Sequence, residues 1–411
     1  MATEGERREE ILETAASLFA SSGIRTSLKE IGDACGILPG SLYHHFDSKD
    51  AIIIELVQRY RDELDQVAKD ALDSLHEPGP PAVEERVTRL GEAIAQCAVR
   101  HRAALLLTLY DPPTTASDVL VELARQAPTA ITAAMTDVLE AGHHGGEVRD
   151  GIDLPILSER ICQSMLHVGV GVFHRRQASH LPTMKCQVFL HGIAKRPPAD
   201  ATLDRSAAMR GAQQVIADWA TAGEHDRTEH LRAVGRAEFA RRGYEATTMR
   251  DVAKAADLST GTVYRTFRSK DELLVSIMQT FSDTFSASWD AVLATSSTPL
   301  EKLDALLWLN INLLDRFSEE FKIQLAWLRQ SPPDSVDLGF SFDKQLKHLQ
   351  SVLVEGQAEG KLRPADGSTL NQARSMYEVI LTPENVIRHA GLRGSLDLAR
   401  ETVLRGALVR R

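Results

Sequence analysis

Few side chains in this chain are spaced for catalysis or metal binding. His44 and His45 are neighbours, about 100° apart on a helix, so they do not converge on one ion as an i, i+4 pair would. His143-His144-Gly145-Gly146 reads as a helix end with imidazoles near the last carbonyls. Cys162, His167 and His174 share one helical stretch without a second ligand cluster. Cys35, Cys97, Cys162 and Cys186 form no C-x-x-C pair and read as buried thiols. Cys162 and Cys186 are the pair to consider for a redox switch, but nothing in the sequence asks for one. G-x-S-x-G, a phosphate-binding glycine loop and H-E-x-x-H are all missing. No enzymatic activity, metal or cofactor is expected.

Phosphate recognition is a different matter, because its residues occur twice. IGDACGILPGSLYHHFDSKD, from Ile31 to Asp50, lies without gaps over VAKAADLSTGTVYRTFRSKD, from Val252 to Asp271. Gly40 meets Gly261, Tyr43 meets Tyr264, Phe46 meets Phe267, and Ser48-Lys49-Asp50 meets Ser269-Lys270-Asp271. Gly40 and Gly261 leave room for close backbone approach to DNA. Ser41 and Thr262 sit in a first helical turn, where the helix dipole favours an anion. Tyr43 and Tyr264 offer phenols to phosphate, and Lys49 and Lys270 offer flexible cations. Leu42, Phe46, Val263 and Phe267 fall on the opposite, core-facing side.

These residues need a frame of short helices. Each copy opens with an amphipathic helix (Arg8 to Ser21, Glu229 to Arg241) closed by Gly23 or Gly243. A second helix follows, capped by Ser27, or by Thr247 and Thr248, with Lys29 on the first copy's second helix. After a turn at Cys35-Gly36 or Ala256-Asp257 comes a very short third helix, Pro39 to His45 or Thr260 to Thr266. Ser48 and Ser269 cap a fourth, Ser269 forming a capping box with Glu272. This is a helix-turn-helix, whose last helix enters the major groove.

The rest of the sequence is helical in period, with long stretches at Ala82–Leu109, Ala116–Gly142, Leu154–Gln177, Leu300–Arg316 and Phe342–Gly360. An echo of Gly146-Glu147-Val148-Arg149 in Gly360-Lys361-Leu362-Arg363 extends the repeat to the whole chain. Breakers at Lys195–Asp200 separate the units, and Leu203–Ala222 reads as a helical strut between them. The expected fold is all-α. The expected domains are a first head (1–52), a first bundle (53–196), a linker with helix (197–223), a second head (224–273) and a second bundle (274–411).

Composition agrees with a globular protein: 411 residues, 43% hydrophobic, 25% charged and a net charge of −10. That acidity argues against a nucleic-acid-coating protein but not against a site-specific one, which needs positive potential on one face alone. No run of apolar residues suits a membrane span, and the charged N-terminus shows no signal-peptide core, so a cytoplasmic location is expected.

The repeated motif, a small residue followed by Tyr, Phe and Ser-Lys-Asp, resembles the DNA-binding domain of TetR-family repressors. The tandem arrangement resembles two-unit TetR repressors of actinobacterial mammalian-cell-entry lipid-transport operons. GILPGSLYHHF also resembles members that sense steroid-derived or fatty acyl-CoA thioesters. The resemblance implies a double-stranded DNA operator, a helical ligand-binding bundle in each unit and a dimer interface on its last two helices. It also implies a small apolar effector. Candidate cavity residues are Leu106, Tyr110, Met135, Met165, His167 and Phe173 in the first bundle, and Trp308, Trp327, Met376 and Tyr377 in the second.

The two heads differ. The first offers Ser41, His44 and His45, and the second Thr262, Arg265 and Thr266. Arginine bonds guanine bidentately, whereas neutral histidine reads poorly. The first segment carries Glu4, Glu6, Glu9 and Glu10, the second Arg227, Arg232, Arg236, Arg241, Arg242 and Arg250. The expected arrangement is an intramolecular pseudo-dimer on an asymmetric operator. The alternatives are a homodimer with four heads, or a ligand-sensing adaptor in which one or both heads no longer bind DNA.

Overall fold

The computed structural model describes residues 4–22, 26–108, 117–170, 180–221, 226–244, 246–330, 343–364 and 366–410. Among these residues there is no strand, only two isolated antiparallel bridges between helices. The first head comprises α1 (Glu4–Ser22), α2 (Leu28–Ala34) and α3 (Pro39–Leu42). From it α4 (Lys49–Leu75) runs on the order of 40 Å into the first bundle. That bundle holds α5 (Val83–Arg100), α6 (Arg102–Thr108), α7 (Asp118–Arg125), α8 (Thr129–His144), α9 (Leu154–Val170) and α10 (Leu181–His191). Two linking helices follow, α11 (Asp200–Asp204) and α12 (Ala207–Thr221). The second head is α13 (Arg227–Arg242), α14 (Met249–Ala255) and α15 (Thr260–Thr266). The second bundle is α16 (Lys270–Leu293), α17 (Pro299–Arg316), α18 (Ser318–Gln330), α19 (Asp343–Ala358), α20 (Thr369–Ile380) and α21 (Glu384–Ala399). A π-helical turn, Arg400–Leu404, ends it.

Three stretches that read as single helices are broken. Ala82–Leu109 divides at His101, whose ψ of 34° is not helical and whose carbonyl starts α6 by accepting from Leu105. Ala116–Gly142 divides before Pro128, because proline disfavours the helical conformation in the residue preceding it. Leu203–Ala222 divides at Ser206, whose hydroxyl accepts from the Met209 N–H at 3.0 Å and starts a new helix. The expected strut is not free-standing. α12 packs on α16 and α17, with Ala208, Met209 and Ala212 buried.

The halves meet along α9 and α10 of the first and α20, α21 and the π turn of the second. Their backbones exchange hydrogen bonds reciprocally. Val148 bridges Leu408, and its counterpart Leu362 bridges Ala194. The Arg149 N–H donates to Ala407 O at 2.9 Å, and the Arg363 N–H to Ile193 O at 2.8 Å. Val409 donates to Glu147 O at 2.8 Å, and Lys195 to Lys361 O at 3.0 Å. Ala407 and Leu408 donate to Phe189 and Leu190, and Ile193 and Ala194 to Val403 and Leu404. When Gly146–Arg149 is aligned on Gly360–Arg363, every bond in this set has its mate. Such reciprocity belongs to a two-fold interface, here formed within one chain as an intramolecular pseudo-dimer.

Gly192 (φ 65°) and Gly406 (φ 85°) face each other on this axis. A Cβ on Gly192 would lie 2.5 Å from the Arg405 carbonyl carbon, and one on Gly406 would lie 2.2 Å from that of His191. Both the backbone angle and the space require glycine. Apolar Met165, Phe189, Leu190, Val379, Ile380, Val403 and Leu404 are buried in these helices. Three buried cations lie beside them. Lys185 pairs with Glu378 across the seam and donates to Ser164 O at 2.8 Å. Arg160 donates to Val379 O at 3.0 Å and lies over the Phe189 ring. Arg400 binds Asp304 through Nε and Nη2, both at 2.8 Å.

Candidate nucleic-acid interface

Each head closes around a small core. Ile11, Leu12, Ala15, Phe19, Ile31, Leu42 and Phe46 are buried in the first, and Leu231, Phe239, Val252, Val263 and Phe267 in the second. The turn between the second and third helices needs a left-handed residue. Gly36 (φ 66°) supplies it in the first head and Asp257 (φ 54°) in the second. With Leu42, Phe46, Val263 and Phe267 turned inward, the opposite face of each short helix is open. Tyr43 is 55% exposed and Tyr264 48%. Gly40, Ser41, His44, Gly261 and Arg265 are also exposed, while His45, Thr260, Thr262 and Thr266 are half-buried. Pro39 is the first residue of α3.

Local capping sets these helices. Ser27 and Glu30 form a capping box on α2, and Thr248 and Asp251 form one on α14. The Ser27 N–H and hydroxyl hold the Glu30 carboxyl below its ordinary value. Asp251 is held further down by the Thr248 hydroxyl and N–H, then by the Arg242 guanidinium at 3.0 Å. Thr247, expected to share the cap, is fully buried. Its hydroxyl donates to Gly243 O at 2.8 Å and Glu238 O at 3.2 Å, tying α13 to the loop instead of facing DNA. Ser48 and Ser269 cap α4 and α16. The expected Ser269–Glu272 box closes one residue early, because Glu272 accepts from the Arg268 N–H at 2.6 Å.

The two short helices are not equivalent. α15 runs from Thr260 to Thr266 as expected, with the Ser259 hydroxyl accepting from the Thr262 N–H at 3.2 Å. The Arg265 guanidinium donates to the Thr262 hydroxyl at 3.0 Å, which steadies it on the open face. α3 stops at Leu42 instead of His45. The residue in Ser259's place is Leu38, which has no side-chain acceptor and is 76% exposed. Beyond Leu42, the His44 and His45 N–H groups reach back three residues to Ser41 O (3.3 Å) and Leu42 O (3.0 Å), in tighter turns.

Charge separates the heads further. On α2, Lys29 is held by Asp33 at 2.9 Å and Glu30 lies beside it. The corresponding positions of α14 carry Arg250, Lys254 and Asp251. Asp47 after α3 corresponds to Arg268 after α15, and His44 to Arg265. Arg250, Lys254, Arg265 and Arg268 are all exposed. Some arginines counted from sequence point elsewhere: Arg236 binds Glu319 (2.9 Å) and Glu320 (3.1 Å) of α18, and Arg241 and Arg242 share Glu238. The lysines at the starts of α4 and α16 are half-buried. Burial pushes the Lys49 ammonium down, and Lys270 donates to Tyr244 O at 2.8 Å over the Tyr244 ring.

The candidate effector residues scatter. Leu106, Met135 and Met165 are buried in the first bundle. His167 bonds Gln163 O at 2.7 Å on its own helix, and burial lowers its pKa. Tyr110 and Phe173 lie outside the described residues. Trp308 is half-buried, and Tyr377 packs within 5.9 Å of the Trp289 ring in the second core. Trp327 belongs to the joint between bundle and head, edge-on to Tyr244 at 5.3 Å. Met376 lines a cleft of about 370 Å³ that sequence reading missed. Met184, Gln187 and His191 of the first half and Gln357 and Gln372 of the second also line it, so the cleft exists only where the halves meet. All four cysteines are buried and free. Burial pushes the Cys162 and Cys186 thiols up to about 12, so neither is poised to react. No helix among the described residues is long and apolar enough to cross a membrane.

Residues 11–56 and 231–277 each match the family described as bacterial regulatory proteins, tetR family. The HTH-type transcriptional repressor KstR2 of Rhodococcus jostii is 35% identical over 155 residues, covering 36% of this chain and 72% of the relative. The KstR2 of Mycobacterium tuberculosis is 32% identical over 152 residues, covering 37% and 74%. A solved structure of ketosteroid transcriptional regulator KstR2 of Mycobacterium tuberculosis aligns with 46% of this chain and 98% of its own, at 22% identity and a TM-score of 0.36.

Proposed function

The chain belongs to the TetR family of bacterial regulatory proteins, and we propose that it is a one-chain repressor whose two unlike heads read an asymmetric operator. The observation that carries this is the reciprocal seam, which occupies the dyad within a single chain and leaves both short helices facing outward. One chain then does what two copies do in a homodimer. In this reading Ser27, Lys29, Lys49, Thr248 and Lys270 position phosphates. Gly40 and Gly261 admit the backbone, and Ser41, Tyr43, Thr262 and Tyr264 bind at the groove rim. Pro39, His44, His45, Thr260 and Arg265 face bases or the groove wall. The domains follow the division 1–52, 53–196, 197–223, 224–273 and 274–411. The effector is a lipid, steroid or acyl-CoA derivative, and the regulated genes serve lipid transport. The first motif's likeness and the tandem arrangement support both.

Footprinting on the DNA upstream of the chain's own gene tests this. Arg265→Ala and His44→Ala should each weaken a different half-site, by about 5- to 150-fold where the side chain reads a base. Identical losses on both half-sites would overturn the asymmetric reading. A second reading has its own support in the uncapped, shortened α3. If the first head no longer binds DNA, His44→Ala leaves the footprint unchanged. Mass measurement of the complex separates one chain per site from two.

A further inference from the structure

We infer that Glu63, Cys97 and His101 form a binding site for a divalent d-block cation such as zinc, present in the first half alone. The three offer one carboxylate oxygen, one sulfur and one imidazole nitrogen, all within 4.8 Å of one another. A tetrahedral zinc with ligands at 2.0–2.3 Å sets its donors about 3.5 Å apart, so closure needs movements of about an ångström. The donors come from three places held rigidly together: the middle of α4, the last turn of α5, and the residue that breaks α5 from α6. His101 Nε2 already faces Glu63 Oε2 at 2.9 Å. The other carboxylate oxygen accepts from Arg100 Nη1 at 2.7 Å, which orients it as an outer partner orients a metal-bound carboxylate. Cys97 is fully buried, while Glu63 and His101 keep 27% and 17% of their side chains exposed, so the cluster has a solvent-facing edge. Sulfur, imidazole and carboxylate together suit zinc or cobalt better than magnesium or calcium, which prefer oxygen alone. A water completes the fourth position, and binding releases the thiol proton.

The second half supplies the internal comparison. His101 ends α5 by donating its N–H to Cys97 O at 2.9 Å, and Phe317 ends α17 the same way, donating to Leu313 O at 2.9 Å. The position of Glu63 corresponds to Thr284, counting on from the aligned Ser-Lys-Asp triplets. The fold therefore has Thr284, Leu313 and Phe317 at the corresponding positions. It does not need a thiol, an imidazole and a carboxylate there.

The test is cobalt(II) titration of the metal-free full-length chain, followed by optical absorption without DNA. Its outcome is thus independent of the repressor reading. The expected result is a sulfur-to-cobalt charge-transfer band that saturates at one equivalent and is erased by zinc. Cys97→Ser should abolish the band and Cys162→Ser should leave it intact. Glu63→Gln, at a partly exposed position, should weaken binding at least about 100-fold. It decides the matter if Cys97→Ser does not fold. No band at one equivalent, or a band unchanged by Glu63→Gln, would overturn the inference.

Discussion

If the second head carries most of the phosphate attraction, removing its cations should flatten the salt dependence of operator binding, and equivalent changes in the first should not. The perturbation is Arg250→Ala, Lys254→Ala and Arg268→Ala together. All three are exposed, and the two on α14 are replaced by a better helix former, so the head keeps its fold. Each phosphate contact contributes about 0.9 to the slope of log K against log salt, so three contribute about 2.7. Between about 50 and 200 mM salt the wild type should lose about 40-fold more affinity than the variant. Lys29→Ala should change the slope by less than about 0.9, because Asp33 already holds that ammonium at 2.9 Å. Fluorescence anisotropy on labelled operator at several salt concentrations reads both slopes. Equal flattening by Lys29→Ala and the triple variant would refute the assignment of charge to the second head.

Other consequences concern the seam and the caps. Gly192→Ala should destabilise the chain by about 2–5 kcal/mol in urea unfolding, from left-handed strain plus overpacking against Arg405 and Gly406. Gly146→Ala, with a similar φ of 70° and open space around it, should lose only about 1–2 kcal/mol. Arg400→Leu strands Asp304, which is completely buried, and should cost about 3–5 kcal/mol in the same assay. Ser259→Ala should remove about 1 kcal/mol of cap from α15 and weaken DNA binding. Leu38→Ser, which gives α3 the cap it lacks, should act the opposite way on the first half-site.

The heads are legible in the sequence because their information is local. Ser27, Ser48 and Ser269 sit one residue before their helices, and the inward side of each short helix is apolar at Leu42 and Phe46 or Val263 and Phe267. Where the local signal is ambiguous, geometry decides. Thr247 and Thr248 are adjacent hydroxyls, and the single cap position falls to Thr248 while Thr247 turns inward. The shortness of α3 is written in Leu38, a residue that cannot cap, although helical period alone carries the reading on to His45. Details of the seam are less visible, because its bonds use backbone carbonyls of residues far apart in the chain. Its traces in the sequence are the echo of Gly146–Arg149 in Gly360–Arg363, whose residues make several of these bonds, and Gly192 and Gly406 near the ends of the halves. The Glu63–Cys97–His101 cluster stays hidden for a similar reason: the turn of a helical hairpin separates Glu63 on α4 from Cys97 and His101 at the end of α5. Comparing the corner with Leu313 and Phe317 in the second half would have marked it.

The central claim is that each head has its own half-site. Because all four native cysteines are buried, a cleavage reagent can be tethered selectively at an exposed position. Ala34→Cys and Ala255→Cys place it at matching exposed points of the two heads, on α2 and α14. The account predicts strand cleavage at one half-site from the first variant and at the other from the second. Cleavage at both half-sites from each variant would contradict it.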